Sequence, residues 1–266
     1  EPPRPKTPPA TTQIFTRGTE HELLFKSHLL DQYTSTQLDP SDLDWKTMEI
    51  RLVGTNPLWG HYLWNAAISI ASFLDRYPTL YESKTVLELG AGGALPSLVA
   101  VKNHAEKVLV TDYPDDPLID NIERNVRSNI EKEDMHRVAA LGYIWGTPVQ
   151  KLLDVLGTAE ESQERGYDLI ILSDLIFNHS QHAALLTTCE KTLKNDPTAT
   201  VIVFYTHHRP RFAERDLGFF ELAKERGWDC HEVIRERFDP MFPEDPGAEE
   251  VRSTVHGWIL KRRAAN

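Results

Sequence analysis

Cysteine is scarce. Cys189 and Cys230 are the only two in 266 residues, far apart and outside any Cys-x-x-Cys. That argues against a disulfide framework or a cysteine zinc site and for a reducing compartment. Positive charge is also short. Lys and Arg number 29 against 40 Asp and Glu, a net charge of −11. Such a balance disfavours binding along a phosphate backbone. An acidic surface suits a basic partner, and it is common in soluble proteins without one. No apolar run approaches the ~18 residues of a membrane span. The opening EPPRPKTPPATTQ lacks the apolar core of a secretory signal. A cytoplasmic protein is expected.

What is present reads as an α/β chain. Residues 1–20, rich in Pro and Thr, are expected to be disordered or loosely draped. Residues 21–80 form an N-terminal extension. It contains a short strand in WKTMEIRLVG, a turn at Asn56-Pro57, and a helix in HYLWNAAISIASFLDRY with apolar residues at helical spacing. Residues 81–263 alternate strand and helix. TVLEL, KVLVTD, RVAALGY, YDLIILSD and ATVIVFYT are each followed by a helical segment. DCHEVIRERF and TVHGWILKR close the chain as an antiparallel pair, with EDPGAEEV between them as a solvated loop. Continuous apolar strands imply burial on both faces. The expected fold is therefore a Rossmann-like, seven-stranded, mostly parallel sheet. It carries an antiparallel C-terminal pair and helices on both faces, with ligands bound beyond the carboxyl strand ends.

The first strand of that domain runs into Glu88 and then into Gly90, Ala91, Gly92 and Gly93. Glycines there permit a sharp turn and close approach of a ligand. The dinucleotide fingerprint G-x-G-x-x-G fails, because Leu95 holds the third position. A carboxylate at Glu88 repels a pyrophosphate and suits a cation. Asp112 ends the second strand, where an acid accepts from the two ribose hydroxyls of an adenosine. The pattern asks for a cationic nucleoside without phosphate. S-adenosyl-L-methionine, with its sulfonium and α-ammonium, meets that description. A structural glycine turn in a nucleotide protein is the competing reading.

LWNAAISIASFL, VLELGAGGALPSL, VTDYPD, LGYIWG and LSDLIFNHSQH together resemble the seven-β-strand methyltransferases of family 16, over about residues 45–260. The resemblance is nearest to the fungal branch that methylates the N-terminus and a nearby lysine of translation elongation factor 1-alpha. It implies an S-adenosylmethionine-dependent domain over 81–263, a protein substrate and a monomer. It also implies residue roles. Glu88 with Gly90, Ala91 and Gly92 holds the methionine half of the cofactor. Asp112 and Tyr113 flank the ribose. Trp145 lies against adenine, Trp64 closes over the cofactor, and Ser173 lines the same pocket. Asp174 and Phe177 match the family's acid-x-x-aromatic motif as catalytic residues; many relatives carry Tyr in the last place. An indole at 64 or 145 also fits a hydrophobic core, and Asp174 also fits a helix cap.

Asp174 is expected to capture and orient the incoming ammonium, with Phe177 and Tyr205 as channel walls. His207-His208 reads as a loop pair, solvated or at the substrate entrance, without a third metal ligand nearby. No metal is expected. A small-amine methyltransferase of the nicotinamide type and a non-catalytic cofactor-binding scaffold are the alternative functions. DLIF lacks the Asn/Asp-Pro-Pro-aromatic signature of nucleic-acid N-methyltransferases.

Overall fold

The computed structural model describes residues 8–33, 44–57, 59–157 and 165–263. In chain order the elements begin with β1 (Thr11–Thr16), β2 (Glu22–Lys26), β3 (Thr47–Leu52) and α1 (Asn65–Arg76). There follow β4 (Thr85–Leu89), α2 (Leu95–Lys102), β5 (Lys107–Asp112), α3 (Asp116–Asn129), β6 (Val138–Gly142) and α4 (Gln150–Asp154). Next come β7 (Leu169–Ser173), α5 (His182–Thr192), β8 (Thr200–Thr206) and α6 (Ala213–Glu225). β9 (Trp228–Arg237), α7 (Glu249–Ser253) and β10 (Thr254–Arg262) complete the chain.

The main sheet runs β2-β9-β10-β8-β7-β4-β5-β6. β8, β7, β4, β5 and β6 are mutually parallel, and β10 inserts antiparallel between β8 and β9. The seven expected strands are all there, with β2 added antiparallel to β9 as an eighth. β7 shows why its apolar run is unbroken. Leu169 and Ile171 pack into the core beneath α1, α2 and α3, whereas Ile170 and Leu172 pack beneath α5 and α6. Each fully buried Leu or Ile contributes about 1.5–3 kcal/mol.

Register then places the site. Leu89 of β4 lies level with Thr111 of β5 and Leu172 of β7, and Ser173 lies level with Phe204 of β8. The residues that follow, Gly90, Asp112 and Asp174, therefore emerge at one edge. Strand order reverses between β4 and β7, and the crevice opens at that switch point.

Two expectations need correction. Within 1–20, Thr11–Thr16 form β1, fully paired to β3 from Thr11↔Leu52 to Thr16↔Thr47; residues 1–7 lie outside the described residues. β-branched Thr and the single buried anchor Phe15 suit an edge strand despite low overall hydrophobicity. Within EDPGAEEV, Glu249 and Glu250 open the short helix α7.

The other edge of β3 is satisfied by side chains. Asn121, Asn125 and Asn129 recur at four-residue spacing along α3 and so share one face. Asn125 Oδ1 accepts from Arg51 N–H (2.9 Å) and its Nδ2 donates to Arg51 C=O (2.8 Å) and Gly93 C=O (3.0 Å). Asn121 Nδ2 donates to the same Arg51 carbonyl, and Asn129 brackets Glu49 in the same way (2.9 and 3.1 Å). The helix imitates a neighbouring strand and ties β3 to the glycine turn.

Asn125→Ala leaves the partly buried Arg51 N–H and the buried Gly93 C=O without this partner. We expect a loss of about 1–3 kcal/mol in urea unfolding; an unchanged midpoint and slope would show the ladder to be dispensable.

Candidate active site

The glycine turn is left-handed in three places, at Gly90 (φ +65°), Gly92 (φ +53°) and Ala94 (φ +65°). At Gly90 a Cβ would lie 2.7 Å from Leu175 and 3.0 Å from Trp145. Glycine is thus required there by conformation and by space. Three N–H groups of the turn are already used. Ala91 N–H donates to Thr111 C=O (3.0 Å), Gly92 N–H to Asp112 Oδ2 (2.7 Å), and Ala94 N–H to Ala91 C=O (2.8 Å).

Glu88 is not where the sequence suggested. It is fully buried and does not line the cleft. Its Oε2 accepts from Ser97 N–H (3.1 Å) and from the Ser97 hydroxyl. Ser97 is the third residue of α2, whose own cap residue, Ala94, has no side chain able to cap. Glu88 therefore caps α2 from the preceding strand. It occupies the helix N-terminus where a dinucleotide fold would seat its pyrophosphate. Burial pushes its carboxyl up to about 8, against the opposing pull of the two Ser97 hydrogen bonds. Oε1 has no partner. The acid of the motif is buried against the start of α2 and is not part of the cleft lining.

Above the turn lies a cleft of about 550 Å³. Ten of the predicted residues line it: Trp64, Gly90, Ala91, Gly92, Asp112, Tyr113, Trp145, Ser173, Asp174 and Phe177. Asp112 is nearly buried, and burial raises its carboxyl pKa despite hydrogen bonds from Gly92 N–H and Tyr113 N–H (both 2.7 Å). Each oxygen retains a lone pair for further donors. Trp145 is half-buried, and the Gly146 N–H behind it donates to Thr188 Oγ1 (2.9 Å).

The cleft's charged lining consists of Asp112, Asp174 and Arg209. Asp174 follows β7 in a left-handed conformation (φ +56°), and its N–H donates to Phe204 C=O (2.8 Å). Oδ1 lies 3.4 Å from Thr206 N–H, and Oδ2 accepts from His208 Nε2 at 2.9 Å.

Three expectations are displaced. Tyr205 is buried and stacked on His256 (5.3 Å, 15°), pointing away from the cleft as strand alternation requires. His207 is buried and bonded to Asp216 (2.7 Å), which also holds His179 (2.6 Å). His208 is largely buried instead of solvated; it pairs with Asp174 and leans on Trp64 at 4.7 Å, two residues that line the cleft. Residues missed by the sequence reading complete the walls. Tyr62 lines the cleft between Trp59 and Trp64 and meets Phe242, while Asn178 and Gln181 follow Phe177. An aromatic every second or third residue in LWGHYLW was the available signal for Tyr62.

The model for the lysine methyltransferase family matches residues 42–226. This chain belongs to that family. It is similar to the protein N-terminal and lysine N-methyltransferase of Schizosaccharomyces pombe, 43% identical over 80% of this chain and 82% of the relative. The Gibberella zeae protein of the same name is 36% identical over 97% of this chain and 90% of its own length. Among solved structures, a transferase of Pyrococcus horikoshii aligns with TM-score 0.50 and 16% identity over 81% of this chain and 69% of that one, which speaks to the fold. The chain is thus a methyltransferase with the family's sheet, and no helix among its described residues is long and apolar enough to cross a membrane.

The Glu88 cap predicts a signed pH effect. The folded carboxyl is raised above its ordinary value of 4.5, so its protonated form favours folding and stability falls as pH climbs from that value through about 8. Glu88→Gln keeps an acceptor for Ser97 and removes the ionisation. Urea unfolding between pH 5 and about 9 is expected to show a flatter stability profile in the variant; parallel profiles would remove Glu88 as the buried acid.

Proposed function

We propose that the protein uses S-adenosyl-L-methionine to methylate the N-terminal amine and a nearby lysine of translation elongation factor 1-alpha. The observation that supports the cofactor reading is the acid-lined turn: Gly92 N–H and Ser97 N–H are already taken by the carboxyl groups of Asp112 and Glu88, and two acids line the cleft beside one arginine. A phosphate finds few donors here, and a cationic nucleoside finds acceptors. Asp112 would take the ribose hydroxyls, Trp145 offers a face to adenine, and Gly90, Ala91 and Gly92 leave room for the methionine half. The substrate reading is supported by the relatives' names and by the resemblance of TDYPDDPLIDNIERNV and SDLIFNHS to the fungal branch.

The cofactor supplies an electrophilic methyl group; the chain supplies position. Asp174 accepts an N–H of the incoming amine, and Phe177 shapes the approach. The amine lone pair forms the new N–C bond while the C–S electrons return to sulfur, and one N–H proton then leaves to water. The amine must be neutral first. A lysine of pKa about 10.4 is neutral at pH 7 in roughly one molecule per 2,500, an α-amine of pKa about 8 in roughly one per ten. The α-amine therefore needs much less help from its surroundings.

A nicotinamide-type enzyme would enclose its small acceptor under a lid. Among the described residues the N-terminal strand β1 lies on β3 and contributes nothing to the cleft, so it supplies no such lid.

Mass spectrometry of recombinant elongation factor 1-alpha after incubation with enzyme and cofactor is expected to show methyl groups on its N-terminus and a nearby lysine, with nicotinamide unmodified in parallel. Methyl transfer to nicotinamide alone would replace the reading. Asp112→Ala should weaken cofactor binding by about ten- to a hundredfold in calorimetry. Asp174→Asn should cut turnover by about a hundredfold at unchanged cofactor affinity; full turnover would remove Asp174 from the acceptor site.

A further inference from the structure

The Asp174–His208 pair is built more firmly than a loop histidine requires. Both partners are set by the end of the sheet. Asp174 N–H is tied to β8 through Phe204, and His208 N–H donates to Thr206 C=O (2.9 Å), which fixes the turn that carries the imidazole. The carboxylate is 4% exposed. Its Oδ2 is committed to His208 Nε2, while Oδ1 has only the long Thr206 contact and retains capacity toward the cleft. Trp64 stands beside the ring and limits its access to water.

We propose that His208 is a positioning residue that balances the charge of Asp174, so that an entering amine meets a neutral hydrogen-bonding pair instead of a bare carboxylate. This deepens the methyl-transfer reading and rests on it.

A lone carboxylate solves one problem and creates another. It attracts an ammonium and also holds its proton, raising an amine pKa by about 1–3 units at contact distance. For an α-amine that would cut the neutral fraction at pH 7 from roughly one in ten to about one in a hundred or fewer. An imidazolium on Oδ2 cancels that pull and leaves Oδ1 as an acceptor able to orient one N–H.

The charges around the ring agree. Burial of His208 opposes its protonation, but the Asp174 carboxylate, by charge and hydrogen bond, outweighs burial and raises the imidazole above its ordinary 6.5. Asp216, reached through His207, adds in the same direction, and the exposed Arg209 opposes it. The doublet His207-His208 thereby divides its labour. The first ring faces Asp216, and the second faces Asp174 and Trp64, which line the cleft.

His208→Gln preserves a donor toward Oδ2 and removes the charge. With elongation factor 1-alpha at saturation, the acid limb of the kcat–pH profile is expected to move up by about one unit or more in this variant. A helper that merely held the carboxylate in place would lower kcat with the limb unmoved, and superimposable limbs would overturn the proposal. A second measurement needs no turnover. In the free enzyme the His208 imidazole resonance, assigned by its loss in His208→Gln, should titrate above 6.5 and fall in Asp174→Asn. Titration at or below that value in the unmodified enzyme would equally overturn the pair. Absence of methyl transfer by the unmodified enzyme would instead sink the substrate reading, and the resonance would still decide the pair.

Discussion

The architecture of the site depends on where Glu88 sends its carboxyl group. From the penultimate position of β4 it reaches sideways to Ser97 and closes the start of α2. A helix N-terminus carries free N–H groups and a partial positive charge, and in many nucleotide folds it seats a phosphate. Here the protein fills that place with its own acid. The cost is a buried carboxyl whose ionisation is suppressed. The return is a helix start capped without a ligand. Asp112 does the same for the turn itself by taking Gly92 N–H. Once both acceptors are in place, a phosphate finds two N–H groups already taken and meets the Asp112 carboxyl group.

That local arrangement is useful because the sheet brings separate strand ends to one level. β4, β5 and β7 are parallel and in register at their carboxyl ends, so the turn, Asp112 and Asp174 emerge together although up to 84 residues separate Gly90 from Asp174. The asparagine ladder on α3 extends the same frame outward. Asn125 touches both β3 and Gly93, so the N-terminal extension and the ligand turn share one hydrogen-bonding residue. Stability of the extension and geometry of the turn are coupled at that point.

The order of strands and helices was legible because period and composition report burial directly. β7 reads as LIILS, and no amphipathic alternative competes with it. The cleft was legible where an acid or an indole ends a strand, as at Asp112, Asp174 and Trp145. What could not be read was direction. Glu88 has the right chemistry for a ligand and points instead into the helix start, since sequence gives residue type without depth. Tyr205 sits on the wrong face of β8 by one position of the strand period. β1 was hidden because its stability lies in pairing with β3 and not in its own apolar content. The partners of His207 and His208 lie 9 and 34 residues away, beyond any local pattern. The asparagines of α3, by contrast, stood at helical spacing in the sequence and needed only the question of what edge they might complete.

An enzyme acting on amines with a cationic donor works under opposed electrostatic demands. Negative charge in the cleft draws in both the donor and the ammonium. The same charge withholds the neutral amine on which the reaction depends, and for lysine that burden starts near 5 kcal/mol at about 1.36 kcal/mol per pH unit. This cleft distributes its acids so that little of their charge is bare. Glu88 is withdrawn beneath the turn, Asp112 is held by two backbone N–H groups, and Asp174 is shared with an imidazole. On the proposed reading, an amine in this cleft would meet a set of directed acceptors with muted net charge. Such a surface fixes orientation, which a displacement at carbon requires, without fixing the proton that blocks it.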